Sequence, residues 1–149
     1  VFESKDELSS NDAALLTKAK EALKNSYSPY SNFKVAAAVL LGNGEIVTGT
    51  NQENAAFPVG ICAEGTALSA ASSLYPTIAI KKIAITVKSG KQSVNPPVAP
   101  SGICRQRLLE YEIRFNSNIE IIMMGVEGEV YSVNSVKDIL PLNFSKLDL

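Results

Sequence analysis

Two cysteines, Cys62 and Cys104, and one glutamate, Glu64, are the residues of this chain best suited to chemistry. Cys62 follows a Pro58/Gly60 break and opens an alanine-rich run, and Cys104 follows Pro100-Ser101, so each stands where a helix should begin. A helix N-terminus biases a thiol toward thiolate, and thiolate is the form that binds Zn²⁺. Glu64, two residues after Cys62, is spaced to act as a proton shuttle for a metal-bound water. The chain has no histidine, so any general acid or base has to be a carboxylate, Lys, Tyr or Cys. A further polar stretch, Gly49-Thr50-Asn51-Gln52-Glu53-Asn54, follows a strand end and is unlike packing. Taken singly, each residue has a plainer use. Cys62 suits a buried structural thiol, Glu64 a first-turn carboxylate answering the helix dipole, Asn51 and Glu53 turn formation, and Phe144 a core anchor for the tail.

The elements that must position these residues are legible in the patterning. Residues 9–26 read as an amphipathic helix, with Leu15, Leu16, Ala19, Ala22 and Leu23 on one face and Ser9 and Asp12 spaced as a box-like start. The cluster Tyr27-Ser28-Pro29-Tyr30-Ser31-Asn32 must stop it. Residues 33–41 and 45–49, joined by Gly42-Asn43-Gly44, read as a hairpin. Residues 62–74 and 102–111 read as helices, 82–87 and 119–124 as buried strands, and 130–133 as a short strand. Strands that alternate with helices predict one α/β domain over residues 1–149, a three-layer αβα sandwich. The early hairpin makes its sheet mixed.

Composition removes several classes of function. With 14 basic and 15 acidic residues the net charge is −1, which argues against nucleic acid or an anionic membrane as partner. No apolar run approaches the ~18 residues of a membrane span. The charged segment Val1–Glu7 lacks an apolar signal core, and two thiols without one read as reduced. The expectation is a cytoplasmic protein.

Five segments in order resemble the short, cysteine-liganded cytidine deaminases. They are Tyr27-Ser28-Pro29-Tyr30-Ser31-Asn32-Phe33, Asn51-Gln52-Glu53-Asn54-Ala55, Gly60-Ile61-Cys62-Ala63-Glu64, Cys104-Arg105-Gln106 and Leu140-Pro141-Leu142-Asn143-Phe144. The zinc deaminases carry a His/Cys-x-Glu segment followed by Pro-Cys-x-x-Cys, and the resemblance spans residues 15–144. It implies a mixed five-stranded sheet and hydrolytic deamination of cytidine and deoxycytidine in pyrimidine salvage. It also implies zinc on Cys62 and Cys104, Glu64 as the general acid/base, and Asn51 and Glu53 on the ribose hydroxyls. The Ala63 N–H would meet the base carbonyl and the Ala99 carbonyl the exocyclic amine. Phe33, and Phe144 from a neighbouring subunit of a homotetramer, would pack on the nucleoside.

The chain departs from that pattern twice. Ser101 stands at the first Pro-Cys-x-x-Cys cysteine, and Gly65 stands where such relatives usually carry an arginine. A serine hydroxyl is a poorer zinc ligand than a thiolate, and serine after proline at a helix start is a natural N-cap. The general preference therefore favours a capping Ser101 over a ligating one. Losing a thiolate and losing an arginine change the local charge in opposite directions. Two other functions remain compatible with the residues: a metal-free deaminase-fold protein that binds nucleosides, and a deaminase of another amino-nucleoside.

Overall fold

Residues 33–41 carry small or branched apolar side chains at nearly every position, as a strand covered on both faces must. In the computed structural model, which describes residues 1–149, this stretch is β1 (Phe33–Leu41). It lies between β2 (Ile46–Thr50) and β3 (Ile80–Ser89) in a sheet of order β2-β1-β3-β4-β5, completed by β4 (Glu120–Met124) and β5 (Val130–Val133). Only β3 and β4 run parallel, and the crossover between them contains α3 (Gly102–Phe115).

Alternation along β1 sorts the two faces. Ala38 packs toward Leu15, Leu16 and Ala19 of α1 (Ser10–Ala22). Ala37, Val39 and Leu41 pack on the other face with Ala63, Ala67 and Leu68 of α2 (Ala63–Leu74) and with Leu108 and Leu109 of α3. The result is the expected αβα sandwich around a mixed five-stranded sheet. Glycine at position 49 lets α2 lie directly on β2: a methyl there would sit 2.7 Å from the Ala63 carbonyl oxygen and 2.8 Å from Ala67 Cα.

Element ends differ from the sequence reading for local reasons. The first helix stops at Ala22 and tightens into a 3-10 turn over Leu23–Asn25, because Tyr27 must join the Gln52 segment, its N–H donating to the Asn51 carbonyl. The third helix runs on to Phe115 and ends at Asn116, whose φ of 47° suits an asparagine cap. β3 extends beyond residues 82–87 because β1 pairs with it as far as Ser89. Ile119 is not a strand residue; its N–H donates to the buried carboxylate of Glu112, which also accepts from the Val136 N–H and the Ser135 hydroxyl.

Lys82 ties α1 to the sheet, with its Nζ 2.7 Å from Asp12 and 2.8 Å from Glu120. Burial alone would raise the Asp12 carboxyl, but hydrogen bonds from Lys82 and Ser9 and the charge of Lys82 hold it below its ordinary value. Such stability is present above the unfolded carboxyl pKa of about 3.9 and is lost as pH falls through the lower, folded value. Asp12→Asn should therefore cost about 1 kcal/mol at pH 7, with the difference vanishing in strong acid. Urea unfolding of both proteins at pH 7 and at pH 2 checks this, and an equal difference at both values would remove the ion pair from the account.

Candidate active site

The N-termini of α2 and α3 meet beside the start of β1 and the end of β3. Cys62 occupies the N-cap position of α2, its sulfur accepting from the Gly65 N–H at 3.3 Å. Cys104 lies in the first turn of α3 and is fully buried. The two thiols are free, and the Cys104 S–H donates to Cys62 Sγ at 2.9 Å. Glu64 is 4% exposed, and its carboxylate lies within 4.8 Å of both sulfurs. No salt bridge engages it.

Ser101 does not do what helix chemistry favoured. It occupies the N-cap position of α3, yet its side chain makes no capping bond. Its hydroxyl instead donates to Cys104 Sγ at 3.4 Å. Two thiols, a hydroxyl and a carboxylate thus face one point. Of these, the two sulfurs and the carboxylate lie within 4.8 Å of one another and are donors of the kinds that zinc takes.

That point closes a cavity of about 190 Å³, roughly the share of six liquid waters. Phe33, Val35, Ile85, Val87 and Val98 make its apolar walls; Asn51, Ala63, Glu64, Ala99 and the serine–cysteine cluster supply the polar groups. The Ala63 N–H belongs to the first helical turn, where such donors lack an intrahelical partner. A larger, more open cavity of about 650 Å³ adjoins it, sharing Cys62 and Ser101 and lined further by Tyr30, Ser31, Glu53, Phe57, Ile103 and Arg107. Only the smaller cavity holds Glu64 and both sulfurs.

Asn51 and Glu53 are brought near each other but into different cavities. The Asn51 oxygen accepts from the Ser26 hydroxyl at 2.5 Å and the Val35 N–H at 2.8 Å, and its amide donates to the Phe33 carbonyl. Glu53 accepts from the Tyr30 and Ser31 N–H groups and from the Ser31 hydroxyl. The Ser31 hydroxyl and these backbone donors hold its carboxyl below the ordinary value, against desolvation. Phe144 lies in neither cavity. The residue is 59% exposed, and its carbonyl accepts from Gln106 Nε2.

Two functional features escaped the sequence. Arg105 pairs with no carboxylate; it donates to the Pro100 and Ile139 carbonyls and so fixes the tail to α3. Arg107, one helical turn after Cys104, fills the hollow over Gly65. A methyl at Gly65 would collide with its Nη1 and lie 3.1 Å from its Cζ and from Cys62 Sγ. The positive charge missing from position 65 therefore arrives from the facing helix, which no spacing rule within one segment reveals. The Cys104 hydrogen bond lowers Cys62 to about 7, against burial and Glu64, with the Gly65 N–H and Arg107 helping. The same bond, burial and Glu64 raise Cys104.

Comparison with known proteins bears on this geometry. The family described as cytidine and deoxycytidylate deaminase zinc-binding region matches residues 9–117. The cytidine deaminase of Sporosarcina psychrophila is 34% identical over 135 residues, covering 91% of this chain and 92% of that protein. That of Halalkalibacterium halodurans is 32% identical over 137 residues, covering 91% and 95%. The crystal structure of the Burkholderia pseudomallei cytidine deaminase superposes with a TM-score of 0.76 at 34% identity, covering 92% of this chain and all of that one.

In metal-stripped protein, Cys62 should alkylate with a half-maximal rate near pH 7 while Cys104 resists. Gly65→Ala, which evicts the Arg107 guanidinium, and Arg107→Gln should both move that midpoint upward. Peptide mapping after timed iodoacetamide exposure across pH 5–10 reads both effects. An unmoved midpoint in both variants would separate Arg107 from the thiols.

Proposed function

The chain belongs to the cytidine and deoxycytidylate deaminase family, and from that premise we propose the role of each residue at its site. The protein is an enzyme that deaminates cytidine: water adds to the amino-bearing ring carbon and ammonia leaves, giving uridine. The observation that carries the reading is the meeting of Cys62, Cys104 and Ser101 beside the buried, unpaired Glu64. The family binds zinc, and Cys62 and Cys104 would hold it with Ser101 as the third protein donor. Bound there, zinc supplies a Lewis acid that makes water nucleophilic near neutral pH.

The chain's own residues do the rest. Glu64 takes one proton from the attacking water and passes it to the pyrimidine ring nitrogen, then takes the second from the resulting hydroxyl and passes it to the leaving amine. The Ala63 N–H donates to the base carbonyl. The Ala99 carbonyl accepts from the exocyclic amine, a hydrogen bond that the product, with oxygen at that position, cannot make. Phe33 packs on the base. Asn51 offers its remaining amide hydrogen, and Glu53 a carboxylate oxygen, to the ribose hydroxyls. Deoxycytidine is the second substrate, and the setting is pyrimidine salvage in the cytoplasm. With two thiolates, Zn²⁺, Glu64 and Arg107, the formal charges sum to zero. A third thiolate would have made the site negative and its water less acidic.

We further propose that the enzyme is a homotetramer. Phe57 and Ile103 on the outer cavity are 74% and 70% exposed, and Leu142 and Phe144 on the tail are also exposed. Arg105 and Gln106 hold that tail on α3, where Phe144 can enter the outer cavity of a neighbouring subunit. A metal-free nucleoside binder would give this buried carboxylate and its three facing donors nothing to do.

Glu64→Gln should lower kcat by about 10³-fold or more while nucleoside binding stays within a few-fold, because an amide keeps the shape and cannot carry the proton. Steady-state turnover beside equilibrium binding of cytidine measures both, and near-normal turnover would take Glu64 out of the mechanism. Light scattering should give about four chains per particle. Mixing Glu64→Gln chains with Phe144→Ala chains should restore activity that neither has alone. A fully active monomer would end the shared-site proposal.

A further inference from the structure

The sheet face beneath α1 holds lysines in two opposite settings. At one end of β3, Lys82 has carboxylates on both sides. Six residues further, on the same face, Lys88 stands directly opposite Lys34 of β1 in the antiparallel register. Lys20 and Lys24, one helical turn apart at the end of α1 and its following turn, close the same hollow. Its volume is about 440 Å³, and no carboxylate lines it. None of these four lysines has an acidic group within 4.0 Å. The Asn32 side-chain amide lies beside them over Gly90, which has no Cβ to displace it.

Both lysine pairings oppose folding. Like charges directly opposite across a strand pair destabilise it, and so do like charges at i,i+4 on a helix. Burial, and then Lys5, hold the Lys20 amine below its ordinary value, against the pull of Glu127. An acidic protein that collects four of its lysines around one concavity, with no carboxylate within 4.0 Å of any of them, has built a positive well. An elongated anion with several adjacent charges resolves both repulsions at once, and lysine serves phosphate groups well as a point charge. Duplex or single-stranded nucleic acid would require a positive stripe continuing beyond the hollow, whereas the rest of the lining, Leu23, Asn32, Gly90 and Val126, is uncharged.

We propose that this hollow binds an oligophosphate anion, either free or as the phosphate chain of a nucleoside di- or triphosphate, through Lys20, Lys24, Lys34 and Lys88. Strand alternation keeps it separate from the nucleoside cavity. Phe33 and Val35 face that cavity, whereas Lys34 between them faces the hollow. The proposal therefore stands independently of the deaminase reading. Asn32 is nonetheless flanked by Ser31, which holds Glu53, and by Phe33, so an occupant would adjoin the segment that forms the base and sugar walls.

The test is titration calorimetry of the full chain at 0.15 M salt with inorganic tripolyphosphate, then with a nucleoside triphosphate. One saturable site per chain is expected, weakened about tenfold or more by the double change Lys34→Gln/Lys88→Gln. Without anion, that variant should melt at or above the wild-type temperature, since a repulsion has been removed, and tripolyphosphate should no longer raise its Tm. Lys24→Gln, at an exposed position, gives the same loss of affinity should the double variant fold poorly. Lys137→Gln, remote from the hollow, should change nothing. Equal affinity for the two ligands identifies the phosphate chain as the whole determinant, and tighter nucleotide binding adds contacts to the nucleoside. Absence of saturable binding at this salt, or undiminished binding in both hollow variants, overturns the proposal.

Discussion

Two helix N-termini are aimed at one point, and the site depends on that convergence. Each brings a thiol: Cys62 at the N-cap of α2 and Cys104 in the first turn of α3. Helix dipoles that would each welcome one negative charge are stacked where two sulfurs and a carboxylate have to coexist. The sheet makes the convergence possible. Glycine at 49 lets α2 rest against β2 with backbone contact. The β3–α3–β4 crossover returns α3 to the same face, where Leu108 and Leu109 bury beside Ala67 and Leu68.

Charge balance around that point is shared between helices. The guanidinium of Arg107 lies in space that only a glycine at 65 leaves open, so the two residues form a single device. Ser101 complements it from the other side by directing its hydroxyl at Cys104 rather than capping α3. The two departures from the deaminase pattern, seen in sequence as losses, become in space one neutral donor and one relocated cation. The carboxylate of Glu112, buried at the far end of α3, anchors residues 135–136. With Arg105 and Gln106 it fixes where the tail leaves the domain.

The fold was largely legible because its signals are local. Ser9 caps α1 and bonds Asp12 as their spacing suggested, and the hairpin turn has Gly44 at a φ of 89°, where glycine is at ease. The residues at 62, 64 and 104 were legible because five ordered segments resemble the deaminases; taken singly, each had a plainer structural use. Arg107 was not, since its place is set by the packing angle of α3 on α2. Nor was the orientation of Ser101, since a capping residue and a donor to a thiol begin from the same backbone. The structural duties of Asn51 and Glu53, which brace the 26–35 segment, also needed tertiary contacts to become visible.

The central claim is that Ser101 completes a zinc-holding donor set with Cys62 and Cys104. Zinc per chain, measured by atomic absorption after dialysis against a weak chelator, tests it in wild type and Ser101→Ala, with cytidine turnover recorded on the same samples. The account predicts about one zinc per chain and turnover in the wild type. In Ser101→Ala it predicts a loss of most metal and of turnover together, with the fold intact by circular dichroism. Full zinc occupancy and undiminished turnover in Ser101→Ala would contradict it.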